Sequence, residues 1–181
     1  VLETEFSAKD YSEDMTLKDY LAGEEKVFAD LREKVNAKIE EADRETFSRH
    51  WDESLSYPGK FTPDYNRTYE LEPPEVKGGV LLLHGLTDSP YSLKDIGEIF
   101  FEKGFYILSI RLPGHGTVVG ALTDVKWEDW LCAVKLGARH VRQKIGNGKP
   151  FYMAGYSNGG ALSLLYSIQA IDDESLPAGD H

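Results

Sequence analysis

Cysteine is nearly absent from this chain, because Cys132 is the single example among 181 residues. One thiol excludes a disulfide within the chain and any metal cluster held by several thiolates. Also lacking is an uninterrupted apolar run of about 18 residues, the length that a membrane-spanning helix needs. We therefore expect neither a transmembrane helix nor a bound metal ion.

Positive charge is scarce as well, since 20 Lys and Arg residues face 31 Asp and Glu residues. The formal net charge is −11 and the isoelectric point is about 4.9. Such a balance argues against binding to nucleic acid and against electrostatic docking on anionic membranes. The hydrophobic fraction of 41% is sufficient for a core. The length predicts one domain with a small extension.

The chain begins at Val1 rather than at methionine, and it contains no recognisable signal peptide. We interpret the missing methionine as removal of residues by maturation or by cloning. A cytoplasmic location is favoured, and a periplasmic or secreted location stays open.

Acidic residues are concentrated at the N-terminus, where residues 1–60 hold nine Lys and Arg against sixteen Asp and Glu. We predict that residues 1–60 form an acidic helical extension and that residues 61–181 form part of a second unit. The pattern predicts a helix from Thr16 to Phe47, interrupted near Gly23. Packing of this helix on the main body is the favoured hypothesis, and a lid or partner-binding helix is the alternative.

Strands and helices alternate after the extension, which predicts a mostly parallel sheet with helices on both faces. A short strand at Tyr65–Leu71 precedes the apolar run Val80–Leu83, whose residues suit a strand buried on both faces. The other predicted strands are Phe105–Ile110 and Phe151–Gly155, and the predicted helices are Tyr91–Lys103, Val125–Ile145 and Asn158–Ile168.

The sequence Gly155-Tyr156-Ser157-Asn158-Gly159-Gly160 has the form G-x-S-x-G and lies between a predicted strand and a predicted helix. A serine in such a turn is projected out of the backbone as a nucleophile. The residues two before and two after it pass too close to other backbone to carry a side chain. Gly155 and Gly159 meet that requirement, which makes Ser157 the candidate nucleophile.

Two further motifs follow the predicted central strands. Leu83-His84-Gly85-Leu86 ends the first strand, and Arg111-Leu112-Pro113-Gly114-His115-Gly116 ends the second. We interpret His84 as a structural residue that shapes its loop, together with Gly85, and not as a catalytic base. His115 is predicted to fix the conformation of its own loop, with substrate contact as the alternative.

Taken in order and spacing, these three motifs resemble the α/β-hydrolases, in particular the branch of bacterial carboxylesterases and monoglyceride lipases. The resemblance spans roughly residues 61–170 and implies Ser-His-Asp acyl transfer with Ser157 as nucleophile. It also implies an oxyanion hole formed by the backbone N–H groups of Leu86 and Asn158. Many relatives carry a different residue at the position of Asn158, which matters little for a backbone donor.

In that fold the acid and the histidine follow the serine in the chain, on loops after later strands. Only 24 residues follow Ser157, including Asp172, Asp173 and His181, and no later strand fits among them. The expectation is therefore a chain truncated after the helix that follows Ser157, with the catalytic Asp and His downstream of His181.

The resemblance implies a serine hydrolase that cleaves small-molecule acyl esters through an acyl-enzyme, without a metal or an organic cofactor. A thioesterase or a serine peptidase on the same scaffold is the enzymatic alternative, because one fold hosts many reactions. A non-catalytic module that binds a partner through the acidic N-terminal helices is the alternative from a different class.

Overall fold

The computed structural model describes residues 5–172, which form a four-stranded mixed sheet flanked by helices. The strands are β1 (Tyr69–Leu71), β2 (Gly78–Leu83), β3 (Phe105–Ile110) and β4 (Phe151–Gly155). The helices are α1 (Leu17–Lys34), α2 (Lys94–Glu102), α3 (Trp127–Ile145) and α4 (Asn158–Asp172). Short 3-10 turns occupy Asn36–Lys38, Glu41–Asp43, Pro58–Lys60, Pro90–Leu93 and Val119–Thr123.

The spatial order of the strands is β1-β3-β2-β4. β2 pairs in parallel with both β3 and β4, whereas β1 pairs antiparallel with β3. The register sets Leu83 beside Ile110 on one side and beside Gly155 on the other. The three parallel strands therefore end level with one another, and the loops that follow them meet at one edge of the sheet.

Every residue of β2 is buried, as a strand covered on both faces requires. One face carries Leu81 and Leu83, which pack with residues of α1, α3 and α4 in the main core. The opposite face carries Val80 and Leu82, which pack with the 3-10 turn Pro90–Leu93 and with α2. The predicted mostly parallel sheet with helices on both faces is confirmed.

The N-terminal helix differs from the prediction, because α1 runs unbroken through Gly23 and ends at Lys34. Thr16 begins it with a capping box, in which the Asp19 carboxylate accepts from the Thr16 amide at 2.9 Å. One buried stripe follows the whole helix, so its packing outweighs the helix propensity lost at one glycine. The buried residues are Leu17, Tyr20, Glu24, Val27, Phe28 and Leu31.

Other boundaries also shift. The predicted strand Tyr65–Leu71 is shorter than expected, since only Tyr69–Leu71 pairs with β3. The last helix extends to Asp172, beyond the predicted end at Ile168. Asp173 and His181 lie outside the described residues. Within residues 5–172, no helix combines the length and the apolar character that crossing a bilayer requires.

A buried ion cluster ties the N-terminal segment to the sheet. The Arg111 guanidinium lies 3.0 Å from the Glu5 carboxylate and 3.2 Å from that of Glu24, and its side chain is 1% exposed. Glu24 also accepts from the Thr68 amide at 3.0 Å and from the Thr68 hydroxyl at 2.7 Å. Tyr20 donates to the Arg111 carbonyl at 2.5 Å. The α1 helix therefore packs on the main body, although a domain division at residue 60 stays a prediction.

We expect the Glu24→Gln variant to lower the free energy of unfolding by about 3 kcal/mol, because it breaks a buried ion pair and leaves charge on Arg111 incompletely compensated. Urea unfolding followed by circular dichroism measures the change.

Glu25→Gln is the matched control on the adjacent residue. Its side chain is 57% exposed and pairs with Arg32 and Arg67 at the surface, so we expect a loss below about 1 kcal/mol. Equal losses in the two variants would contradict the role given to burial.

Candidate active site

Ser157 lies in a sharp turn between β4 and α4. Its φ is +51°, a left-handed backbone conformation that is costly for a residue with a side chain. Two hydrogen bonds hold the turn, from the Tyr156 amide to the Leu83 carbonyl at 3.1 Å and from the Gly159 amide to the Tyr156 carbonyl at 2.9 Å. Ser157 is exposed among the described residues.

The glycines on either side of Ser157 are required by space. A Cβ on Gly159 would lie 1.9 Å from the Leu83 carbonyl oxygen, and one on Gly155 would lie 2.4 Å from the Gly159 carbonyl carbon. Both neighbours are backbone atoms and cannot move aside as a flexible side chain would. The contact at Gly160 is milder, with 3.3 Å between its Cβ position and the Gly155 carbonyl oxygen.

The loop after β2 packs directly against this turn. A Cβ on Gly85 would lie 2.9 Å from the Tyr156 ring and 3.6 Å from the Ser157 Cβ. The structure therefore brings Gly85 and Ser157 together, as the three motifs predicted.

His84 is fully buried and both of its ring nitrogens are occupied. The Leu112 amide donates to Nε2 at 3.0 Å, which leaves the proton on Nδ1 and makes Nδ1 the donor to the Gly85 carbonyl, also at 3.0 Å. Burial lowers the pKa of His84 to about 3, so the ring is neutral at physiological pH. A neutral ring with both nitrogens engaged has no site for accepting a proton from Ser157.

The bond from His84 to the Gly85 carbonyl also orients the next amide. In a trans peptide the carbonyl and the following N–H point in opposite directions, so the Leu86 N–H points away from His84. The Leu86 N–H has no acceptor among the described residues. The same holds for the N–H of Asn158, the first residue of α4, where a helix leaves its N–H groups free and favours negative charge.

His115 is 2% exposed and lies between two other rings. Its centroid is 4.8 Å from that of His84 and 5.5 Å from that of Trp130. The Nδ1 atom lies 3.0 Å from the Pro113 carbonyl, and Arg111 donates to the His115 carbonyl at 2.8 Å. This burial argues against the alternative, substrate contact, and favours the prediction that His115 fixes the conformation of its own loop.

No described histidine or carboxylate hydrogen-bonds to Ser157, and no group of three metal-binding side chains occurs within residues 5–172. The expected catalytic Asp and His remain predictions that concern residues outside this range.

Sequence reasoning missed the link between the N-terminal segment and the loop after β3, made by Glu5 and Glu24 on Arg111. One signal for it was present, because Glu24 interrupts the apolar stripe of α1 four residues after Tyr20 and four before Phe28. A carboxylate on a buried stripe indicates a buried cationic partner.

We expect the Gly159→Ala variant to lower the free energy of unfolding by more than about 3 kcal/mol, because the added methyl overlaps the Leu83 carbonyl. Thermal unfolding and fluorophosphonate labelling measure stability and the integrity of the turn.

Gly23→Ala is the control, since a Cβ at this helical position meets nothing within 4 Å. We expect it to be neutral or to stabilise by up to about 1 kcal/mol. A Gly159→Ala variant as stable as the native protein would contradict the close approach.

The lowered pKa of His84 predicts a pH dependence with a defined sign. The unfolded chain binds a proton on this ring below about pH 6.5, whereas the folded state keeps it neutral to about pH 3. The contribution of the His84 ring to the free energy of unfolding is therefore complete above about pH 6.5 and is lost progressively as the pH falls toward 3. In NMR spectra the His84 imidazole should not titrate between about pH 8 and pH 5, and a midpoint inside that range would contradict this assignment.

Comparison with known proteins agrees with this geometry. Residues 74–175 match the family described as Hydrolase_4, serine aminopeptidase, S33. The thermostable monoacylglycerol lipase of Bacillus sp. (strain H-257) is 33% identical over 86 residues, which cover 48% of this chain and 33% of the lipase.

A solved structure from work on LipS and LipT, two metagenome-derived lipolytic enzymes, has a TM-score of 0.54 and 27% identity. The match covers 60% of this chain and 42% of the other. The chain thus spans less than half the length of either relative. Because the family match covers more than half of its residues, the chain belongs to the Hydrolase_4 (serine aminopeptidase, S33) family and has an α/β-hydrolase fold.

Proposed function

We propose that the protein is a serine hydrolase that cleaves carboxylic esters through an acyl-enzyme. The observation that carries the proposal is Ser157, which is exposed and has a φ of +51° in a turn that packs against Gly85 and leads into the unpaired amide of Asn158. A strained turn that projects a serine toward unpaired N–H groups is how acyl transfer is organised on this fold.

In the proposed reaction the Ser157 hydroxyl attacks the ester carbonyl carbon. A histidine outside the described residues takes the hydroxyl proton and passes it to the leaving alcohol. Water then attacks the acyl-enzyme, which releases the carboxylic acid and returns the proton to Ser157. The amides of Leu86 and Asn158 stabilise the oxyanion in both steps, each by about 3 kcal/mol.

His84 and His115 support the site indirectly in this proposal. His84 holds the Gly85 carbonyl and so aims the Leu86 amide, while His115 packs against His84 from the next loop. Gly85, Gly155 and Gly159 permit the close approach of the two segments. Neither histidine is assigned a proton-transfer role.

An ester is the favoured substrate class because the relatives described above are a monoacylglycerol lipase and lipolytic enzymes. The family description, serine aminopeptidase, favours an amide as the second candidate. A thioester is chemically open to the same nucleophile, and loss of catalysis in favour of partner binding is the remaining alternative.

We expect Ser157→Ala to abolish ester hydrolysis, lowering kcat by at least about a thousandfold, because the nucleophile is removed. Initial rates on p-nitrophenyl esters, acyl-CoA and aminoacyl amides, together with the intact mass after fluorophosphonate treatment, test the proposal. A single adduct that maps to Ser157 and fastest turnover of the esters are the expected results.

Ser167→Ala is the matched control, a serine exposed on α4 whose hydroxyl donates to the Ser163 carbonyl. It should retain both the activity and the adduct. Fastest turnover of the amides would favour the peptidase, and absence of any adduct on the full-length protein would favour the binding module.

A further inference from the structure

A cleft of about 380 Å³ opens between the end of α1 and the irregular segment that leads into β1. Ser157 is not among its lining residues, so the cleft is separate from the nucleophile. Three arginines, Arg32, Arg49 and Arg67, face it together with His50. Cationic side chains converge here although residues 1–60 carry an excess of acidic groups.

Arg32 and Arg67 are neutralised by nearby carboxylates. Both pair with Glu25, and Arg67 also lies 3.4 Å from Asp64. Asp64 is the one carboxylate that lines this cleft, and it accepts a further hydrogen bond from the Asn66 amide at 3.0 Å. These groups form a closed network with little unbalanced charge.

Arg49 differs, because it has no carboxylate partner within residues 5–172. Its hydrogen bond runs from Nη2 to the Asn66 side-chain oxygen at 2.9 Å, which leaves Nε and Nη1 without an acceptor among the described residues. Burial and the charge of Arg49 lower the pKa of the adjacent His50 ring. An uncompensated guanidinium at a cleft wall can hold an oxyanion through two parallel hydrogen bonds.

A second cleft of about 320 Å³ continues the first and shares with it Arg49, Pro58, Phe61, Asp64 and Asn66. It extends to Asp88, Ser89 and Tyr91, which follow Leu86 in the chain. The Asp88 carboxylate there accepts from the Ser89 amide at 2.8 Å. Asn66 joins the two clefts, because its side-chain oxygen also accepts from the Ser89 hydroxyl at 2.8 Å.

Apolar surface lies beside the Arg49 guanidinium. Phe61 is 50% exposed and lines both clefts, while Leu55 and Tyr91 are 65% and 62% exposed and line the second. Exposed aromatic and aliphatic side chains beside a single cation match a ligand with an anionic head and an apolar tail.

We propose that these joined clefts bind an amphipathic oxyanion, with its carboxylate or phosphate head on Arg49 and its apolar tail along Phe61 and Tyr91. The site does not require Ser157, so it stands or falls separately from the proposed ester hydrolysis. The site is linked to the loop that carries Leu86, because the Asn66 side-chain oxygen accepts from both Arg49 and the Ser89 hydroxyl.

Isothermal titration calorimetry on the full-length Ser157→Ala protein tests the proposal, because hydrolysis then plays no part. Decanoate and decyl phosphate are the anionic probes, used below the concentrations at which they form micelles. Decanol is the neutral probe and inorganic phosphate the headgroup alone. We expect at least one anionic probe to bind saturably. Decanol and inorganic phosphate should each bind at least tenfold more weakly than that probe. The stronger of the two anionic probes identifies the source of the headgroup, carboxylate or phosphate.

Two variants in the Ser157→Ala background locate the site. Arg49→Gln should weaken binding of the anionic probe by about tenfold or more, since it removes a charge-assisted pair at an exposed position. Phe61→Ala should weaken it through the tail. Arg44→Gln is the matched control, with the same loss of charge from an exposed side chain that lines neither cleft.

Absence of saturable binding for both anions would overturn the proposal. So would an Arg49→Gln variant that binds as the Arg44→Gln control does, or decanol binding as tightly as the anions. The salt dependence of binding is an independent check. If the head pairs with the exposed Arg49, the affinity for the anionic probe should fall severalfold between low and high ionic strength.

Discussion

The contact between the α-carbon of Gly159 and the carbonyl of Leu83 is the constraint on which the site depends. There is no room for even one methyl group, since a Cβ would lie 1.9 Å from the carbonyl oxygen. This approach allows the turn after β4 to fold back over the end of β2, where the Tyr156 amide bonds the same carbonyl. The left-handed conformation of Ser157 is sustained by these surrounding contacts and not by any preference of serine itself.

The amides of Asn158 and Leu86 have no acceptor among the described residues. α4 begins immediately after Ser157, so the Asn158 amide is an unpaired donor at a helix N-terminus. The Leu86 N–H points away from His84, because His84 holds the preceding carbonyl and is itself held by the Leu112 amide. The loops after all three parallel strands therefore contact one another at the edge of the sheet where the proposed nucleophile lies.

The N-terminal segment also supports the loops at this edge of the sheet. Glu5 and Glu24 clamp Arg111, whose guanidinium also holds the His115 carbonyl, and His115 packs on His84. A buried ion cluster of this kind is weak evidence for net stability, but it specifies one arrangement of the segments it joins. Two of the acidic residues in the segment 1–60, Glu5 and Glu24, are thus paired with the buried Arg111. Arg49 of the same segment has no carboxylate partner within residues 5–172.

The sequence by itself determined the bounds of β3 and β4, the glycines around Ser157 and the order of the strands along the chain. These are local matters, set by apolar runs and by turns that tolerate only glycine. Only the tertiary structure decided that α1 continues through Gly23 and stops at Lys34, because packing against the sheet outweighs local propensity. The pairing of Glu24 with Arg111, the burial of His115 and the lack of a carboxylate partner for Arg49 within residues 5–172 also required the fold. Each depends on residues far apart in the chain, and burial of a charge or a ring is a property of the neighbours that surround it.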